Sequence, residues 1–164
     1  MIIAAAILFS LCGVTCAEEK TALQRADAAY AQADFHRAAL EYHRVLAEDP
    51  ANQHAHIRLA NYYLSLRQYD NAISHAKSVL DRSADSIEAL LIFGECHALR
   101  GESLKGQHYF EQVIALDPGN AGAYYGLGTV LRQQGDTAGS HAAFAKLRSL
   151  DGAPPGPANQ EYVP

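Results

Sequence analysis

Eight histidines and three cysteines are the side chains of this chain best suited to bind a metal ion or act as nucleophiles. Two histidines share one helical face when three or four residues separate them, and they can then hold the same ion. No two histidines have that spacing, and His54 and His56 point apart if they lie on a helix. The spacing therefore predicts no metal site.

The residue patterns of nucleophilic catalysis and of phosphate binding are also missing from the sequence. Cys96 has no second cysteine and no basic cluster beside it that would lower the pKa of its thiol. Gly126-Leu127-Gly128 lacks the third glycine of a dinucleotide-binding loop, and no serine elbow or His-Glu-x-x-His sequence occurs. We expect no enzymatic activity and no cofactor.

The charge balance excludes a general attraction to anionic surfaces. The 164 residues include 13 Lys and Arg against 18 Asp and Glu, for a formal net charge of −5. Binding to phosphate backbones or anionic lipids relies on excess positive charge. Nucleic acid is therefore not an expected partner.

Residues 1–17 carry no charged side chain, whereas Glu18, Glu19 and Lys20 follow at once. The apolar stretch has the length of a signal-peptide core and is shorter than the roughly 20 residues that span a bilayer. We expect residues 1–17 to be a signal peptide, although no Lys or Arg precedes the apolar core. The alternatives are a lipid anchor at Cys16 or an uncleaved N-terminal anchor, and only these would attach the chain to a membrane.

The rest of the chain repeats with a period of 34 residues. Asp49-Pro50 and Asp117-Pro118 are 68 residues apart, which is twice the period, and Ser83-Ala84 occupies the midpoint. This register divides residues 18–152 into units 19–52, 53–86, 87–120 and 121–152.

Small residues occur at two fixed positions of each unit, and apolar residues surround them at helical spacing. Positions 8 and 20 hold Ala26 and Ala38, Ala60 and Ala72, Gly94 and Gly106, Gly128 and Ser140. Small side chains allow two helices to approach closely, and a glycine such as Gly101 or Gly135 ends a helix well. Each unit is therefore predicted to be a pair of antiparallel helices.

This pattern resembles the tetratricopeptide repeat family, whose unit favours Leu-Gly at positions 7 and 8, Ala at 20, an aromatic residue at 24 and Pro at 32. The residues that carry the resemblance are Leu59-Ala60, Phe93-Gly94, Leu127-Gly128, Ala72, Phe110, Phe144 and Pro118. Unit one departs from it, since Arg25 stands where Leu is expected. The resemblance implies an all-α fold, a right-handed superhelix (α-solenoid) of four helix-turn-helix units.

In that family the first helices of the units line a concave surface, here called the groove. The resemblance implies that the groove residues include Tyr30, Ile57, Arg58, Asn61, Leu64, Leu91, Ile92, Glu95, Leu99, Tyr125 and Arg132. The amide of Asn61 can donate to and accept from the backbone of a bound peptide. The clamp with which some members bind a C-terminal carboxylate is not expected, because Leu23, Asp27, Glu88 and Ile92 occupy its positions.

We therefore expect a non-catalytic adaptor or scaffold that binds a peptide or amphipathic helix of a partner protein. Similarity to exported bacterial members of the family makes the periplasm the expected location, with a role in cell-envelope assembly, secretion or pilus biogenesis. A regulatory subunit of a larger complex is an alternative.

The C-terminal end offers another alternative, because no further helix is predicted to cover the last unit. Residues 153–164 are rich in Pro and Gly and are expected to form a flexible tail. We expect Phe144, Leu147 and Leu150 to form an apolar edge at which two copies of the chain could associate.

Overall fold

The computed structural model describes residues 21–150, which form helices and turns. The N-terminal segment 1–17 and the tail 153–164 lie outside the described residues. The helices are α1 (Ala22–Ala31), α2 (Phe35–Glu48), α3 (Gln53–Ser65), α4 (Tyr69–Leu80), α5 (Ile87–Leu99), α6 (Ser103–Leu116), α7 (Ala121–Gln133) and α8 (Thr137–Leu150). Each predicted unit contains one pair of them. The prediction of an all-α solenoid is confirmed.

The first helix of every pair begins at a side chain that caps it. The side-chain oxygens of Thr21, Asn52, Ser86 and Asn120 each accept a hydrogen bond from the backbone N–H three residues later. Such caps satisfy amide groups that have no partner inside the helix, and each stabilises it by about 1 kcal/mol.

The turn inside each pair has the same backbone conformation four times. Ala33, Arg67, Gly101 and Gly135 have φ angles of 58°, 57°, 78° and 83°. In the first turn, the N–H of Asp34 donates to the carbonyl oxygen of Ala29 at 3.0 Å, and equivalent bonds close the other three turns. This hydrogen bond is the Schellman arrangement, which needs one residue in the left-handed region. The residue at this left-handed position is glycine in only two of the four units, so the sequence indicates the turn only there.

The helices approach closely where the sequence has small residues. A Cβ added to Gly94 would lie 2.7 Å from the ring of Phe110, and one added to Gly128 would lie 2.8 Å from the ring of Phe144. These distances are shorter than van der Waals contact, so the glycines make room for the rings. Gly126 also packs against Phe110, since a Cβ added to it would come within 2.4 Å of the ring.

Successive pairs stack so that the first helices lie beside one another. Contacts join α2 to α3, α4 to α5 and α6 to α7, while α3 also packs on α5 and α5 on α7. Buried Ala, Val, Leu and Phe side chains fill the layers between them. None of the helices in residues 21–150 has the length and apolar character needed to cross a membrane.

The expected apolar edge on α8 is wrong for two of its three residues. Phe144 is 7% exposed because its ring packs against Gly128 and Tyr125 of α7, and Leu147 is 3% exposed. Leu150 is half-buried, and the side of α8 that faces away from the pair carries Ala142, Ala145 and Ser149. Phe144 and Leu147 therefore do not form an exposed edge.

Candidate functional site

The N-terminal end of the groove contains a pocket of about 190 Å³. Three helices line it: Tyr30 from α1, Phe35, Ala38, Ala39 and Tyr42 from α2, and Arg58, Asn61, Tyr62 and Ser65 from α3. We call this site the N-terminal pocket.

The pocket lies between α1 and α3, which pack against each other less than the other neighbouring first helices do. The helix pairs α3–α5 and α5–α7 pack directly on each other, whereas α1 and α3 do not pack to the same extent. Ala38 and Ala39 on α2 contribute only methyl groups at the base of the gap and leave it open.

Aromatic rings form the walls of the pocket. The rings of Tyr30 and Phe35 meet edge to face with their centroids 5.3 Å apart, and Tyr62 contacts Tyr63 in the same way at 5.6 Å. Phe35 is 49% exposed, whereas Tyr42 is fully buried. An apolar group entering the pocket would therefore be surrounded by rings.

Two polar side chains, Arg58 and Asn61, stand beside these rings. The guanidinium carbon of Arg58 lies 4.3 Å from the centroid of the Tyr30 ring, which is a cation–π contact. Among residues 21–150, Arg58 has no carboxylate within salt-bridge distance, and the amide of Asn61 has no hydrogen-bond partner. Asn61 is exposed, so its amide can reach a ligand.

A hydrogen-bonded triad holds Tyr42 in the wall. The Tyr42 hydroxyl donates to Oδ1 of Asp27 at 2.6 Å, and Nε2 of His54 lies 2.9 Å from the same oxygen. Partial burial works to raise the pKa of Asp27, but the hydrogen bonds from Tyr42 and His54 outweigh it and hold that pKa below its ordinary value. Burial, followed by the bond to Asp27, raises the pKa of Tyr42, so the phenol stays protonated.

The other predicted groove residues follow the first helices away from the pocket. Ile57, Leu64 and Leu91 are half-buried between neighbouring helices, and Glu95, Leu99, Tyr125 and Arg132 are exposed. Burial by surrounding protein atoms raises the pKa of the Glu95 carboxyl even though part of the side chain reaches solvent. The guanidinium of Arg132 lies 6.0 Å from the ring of Phe144.

Ile92 does not line the groove. It is 3% exposed and packs with Ala60, Ala76 and Phe93 in the layer between the second and third pairs. The register assigned it to the surface, but α5 is apolar around most of its circumference and turns Ile92 inward.

The predicted groove set lacks six residues that line the pocket, among them the aromatic residues Phe35, Tyr42 and Tyr62. Phe35 and Tyr42 belong to a second helix, whose residues the family register assigns to packing. The sequence contained one signal: Tyr30 is at position 12 of unit one, one place after position 11, where the family favours a tyrosine.

Three histidines that are distant in sequence meet on the α2, α3 and α4 helices. Nδ1 of His56 lies 3.0 Å from Nδ1 of His75, and the rings of His43 and His75 are 5.9 Å apart. His75 also stacks on Tyr63 with ring centroids 5.5 Å apart. In the part of the chain that the structure describes, no group of three or more His, Cys, Asp or Glu side chains is arranged to hold a metal ion.

Comparison with known proteins identifies the repeat. The model of the tetratricopeptide repeat family matches residues 23–87, 57–103 and 100–157. The crystal structure of the MamA protein superposes with a TM-score of 0.70 at 27% sequence identity, over 80% of this chain and 72% of that chain.

Two further proteins share the repeat. A CTR9 homologue from Arabidopsis thaliana is 27% identical over 125 residues, which are 74% of this chain and 11% of that protein. The second domain of human RPAP3, solved with an HSP70 peptide, has a TM-score of 0.61 at 24% identity, over 67% of this chain and 92% of that one. The chain thus spans about a tenth of the length of the CTR9 homologue.

Proposed function

Because the chain belongs to the tetratricopeptide repeat family, we propose that it is a non-catalytic interaction module that binds a segment of a partner protein along the groove. The N-terminal pocket is the observation that carries this proposal. It combines an aromatic cavity with the Arg58 guanidinium, which forms no salt bridge within residues 21–150, and with the Asn61 amide, which has no hydrogen-bond partner there. Such groups can bind a side chain and the backbone of the same peptide.

The rest of the groove supports an extended contact. Leu64 and Leu91 offer half-buried apolar surface beyond the pocket, and Leu99 is 53% exposed at the end of α5. A segment that begins in the pocket would meet these side chains in turn as it passes along the first helices. The domain of RPAP3 was solved with a bound peptide, which is consistent with this use of the fold.

The proposed setting is the periplasm, where the module would hold a partner during cell-envelope assembly, secretion or pilus biogenesis. The uncharged, apolar residues 1–17 support export. Anchoring at Cys16, or through an uncleaved N-terminal segment, is the alternative and would place the same groove at a membrane surface.

A displayed library of random peptides tests the binding function. The purified chain is compared with the double variant Asn61→Ala/Leu91→Glu, in which the groove loses an amide and gains a charge. Leu104→Glu is the matched control, since Leu104 is 75% exposed on α6, a second helix. Circular dichroism establishes that all three proteins have the same helix content.

The proposal expects peptides that bind the unaltered chain and Leu104→Glu but not the double variant. Peptides retained equally by all three proteins would contradict a groove function, and so would a library from which none is enriched.

A further inference from the structure

The volume of the N-terminal pocket limits what can enter it. A cavity of roughly 150 Å³ lined by apolar side chains holds one benzene molecule, and sites for drug-sized ligands begin at about 300 Å³. The pocket of about 190 Å³ therefore has room for a single side chain of the size of leucine or phenylalanine. A whole helix does not fit inside it.

The charge beside the rings determines whether the pocket favours a cationic or an anionic ligand group. An aromatic cage without a positive charge would attract an ammonium group. Here the guanidinium of Arg58 already covers the face of Tyr30 and opposes a second cation. The nearby Asp27 carboxylate interacts with this charge, but its Oδ1 is engaged by Tyr42 and His54 and it forms no salt bridge with Arg58. With one face of the guanidinium on the ring, its N–H groups remain available at the edge, in the fork that binds a carboxylate with two hydrogen bonds.

The positions of Arg58 and Asn61 fit a peptide that runs along α3. The two residues are three apart and therefore lie on the same face of the helix. The amide of Asn61, which is unpaired within residues 21–150, can bond to the peptide backbone between the group in the pocket and the next residue.

From these observations we infer that the N-terminal pocket binds one leucine-sized or phenylalanine-sized side chain of the partner segment, while Arg58 binds a carboxylate of the adjacent residue. The recognised element is an apolar residue next to Asp or Glu. This inference rests on the proposed function, because it names the chemistry of the segment that the groove would bind.

Nuclear magnetic resonance titration of the isotope-labelled full chain tests it with four capped dipeptides. These are acetyl-Phe-Asp-amide, acetyl-Phe-Asn-amide, acetyl-Ala-Asp-amide and acetyl-Phe-Lys-amide. Binding is followed through the side-chain amide of Asn61 and the ring resonances of Tyr30 and Phe35. The Phe-Asp probe should bind at least fivefold more tightly than each of the other three. A charge-assisted hydrogen bond is expected to produce a difference of this size.

Variants test whether Arg58 is the residue that binds the carboxylate of the probe. Arg58→Gln should remove the preference for Phe-Asp over Phe-Asn, whereas Arg82→Gln, at an exposed position after α4 and outside the groove, should leave it intact. The Phe-Lys probe needs no variant and keeps the test decisive if Arg58→Gln does not fold.

Equal affinities for the four probes, tighter binding of Phe-Lys, or shifts confined to residues outside the pocket would each overturn the inference. The peptide library separates this failure from that of the proposed function. Peptides that bind the groove but lack an apolar residue beside an acidic one would leave the binding function standing and remove only the pocket assignment.

Discussion

The contact among His43, His56 and His75 could not be predicted from their positions in the sequence. Each comes from a different helix, and the tautomers follow from the contacts. Nε2 of His56 lies 3.2 Å from the carbonyl oxygen of Pro50, an acceptor, so this nitrogen donates. Nδ1 of neutral His56 is then an acceptor for the Nδ1–H of His75. One proton therefore already lies between the two facing nitrogens, and a second proton there would set two N–H groups against each other.

Acid should destabilise the fold through His75. Burial, followed by the nearby His56 and His43, lowers the pKa of His75 from 6.5 to about 4. Between those values the unfolded chain binds a proton that the folded chain does not, so the free energy of unfolding is retained above pH 6.5 and falls as the pH decreases towards 4. Since each pKa unit corresponds to about 1.4 kcal/mol, we expect a loss of about 3 kcal/mol across this window, measured by urea unfolding at several pH values.

Two histidine variants identify the source of that pH dependence. His75→Gln should flatten the decrease, whereas His141→Gln, an exposed position on α8, should leave it unchanged. An undiminished decrease in His75→Gln would assign the effect to other groups.

Individual site residues were predictable only where the repeat register places them on an open face. Tyr30, Arg58 and Asn61 were expected in the groove, and the structure brings them together around one pocket. The sequence did not predict that Phe35, Tyr42 and Tyr62 line this pocket. The pocket lies in the gap between α1 and α3, and this gap depends on how two helix pairs pack together. Ile92 was misplaced because Leu90, Leu91, Ile92 and Phe93 are all apolar and periodicity cannot tell which of them faces out.

Among the secondary-structure elements, the turns between paired helices in units one and two are less stable than they could be, because a residue other than glycine has the positive φ angle. Ala33 and Arg67 adopt the left-handed conformation that costs a residue with a Cβ about 1 kcal/mol or more. Ala33→Gly should therefore raise the free energy of unfolding by about 1 kcal/mol, measured by denaturant unfolding. Ala47→Gly, an exposed position within α2, should lower it by about the same amount. A decrease for Ala33→Gly would contradict the strain assigned to this turn.

The glycines of α7 have different roles. Gly126→Ala should destabilise the protein by about 2 kcal/mol, because its Cβ would lie 2.4 Å from the Phe110 ring. Gly122→Ala in the same helix meets no atom closer than 3.4 Å and should be neutral or stabilising by up to about 1 kcal/mol. Thermal unfolding of the two variants compares them directly. Equal effects would mean that Phe110 moves away without cost.

The elements themselves were predictable in type and order. A repeated spacing of small residues required two helices per unit, and each junction carries a capping residue such as Asn52 or Asn120. The positive φ of Ala33 and Arg67 was not predictable, since neither residue type favours it and only the closing hydrogen bonds impose it.

Considering the whole molecule, Phe144 and Leu147 are buried, so a charge introduced there should unfold the last helix pair rather than separate two copies of the chain. Repeat pairs contact only their neighbours, so damage to the last pair spreads weakly. Phe144→Glu should therefore unfold α7 and α8 and leave α1 to α6 folded. Hydrogen exchange should show lost protection in residues 121–150 alone. A fully protected α8 together with a halved molecular mass would instead support the α8 edge as a self-association surface.

If the partner segment lies on the first helices, a titration of the isotope-labelled chain with a peptide selected from the library should reveal it through backbone amide resonances. Chemical shift changes should be concentrated on α1, α3 and α5 and be largest around Arg58 and Asn61. Shifts confined to α2, α4, α6 and α8, away from the pocket, would contradict it.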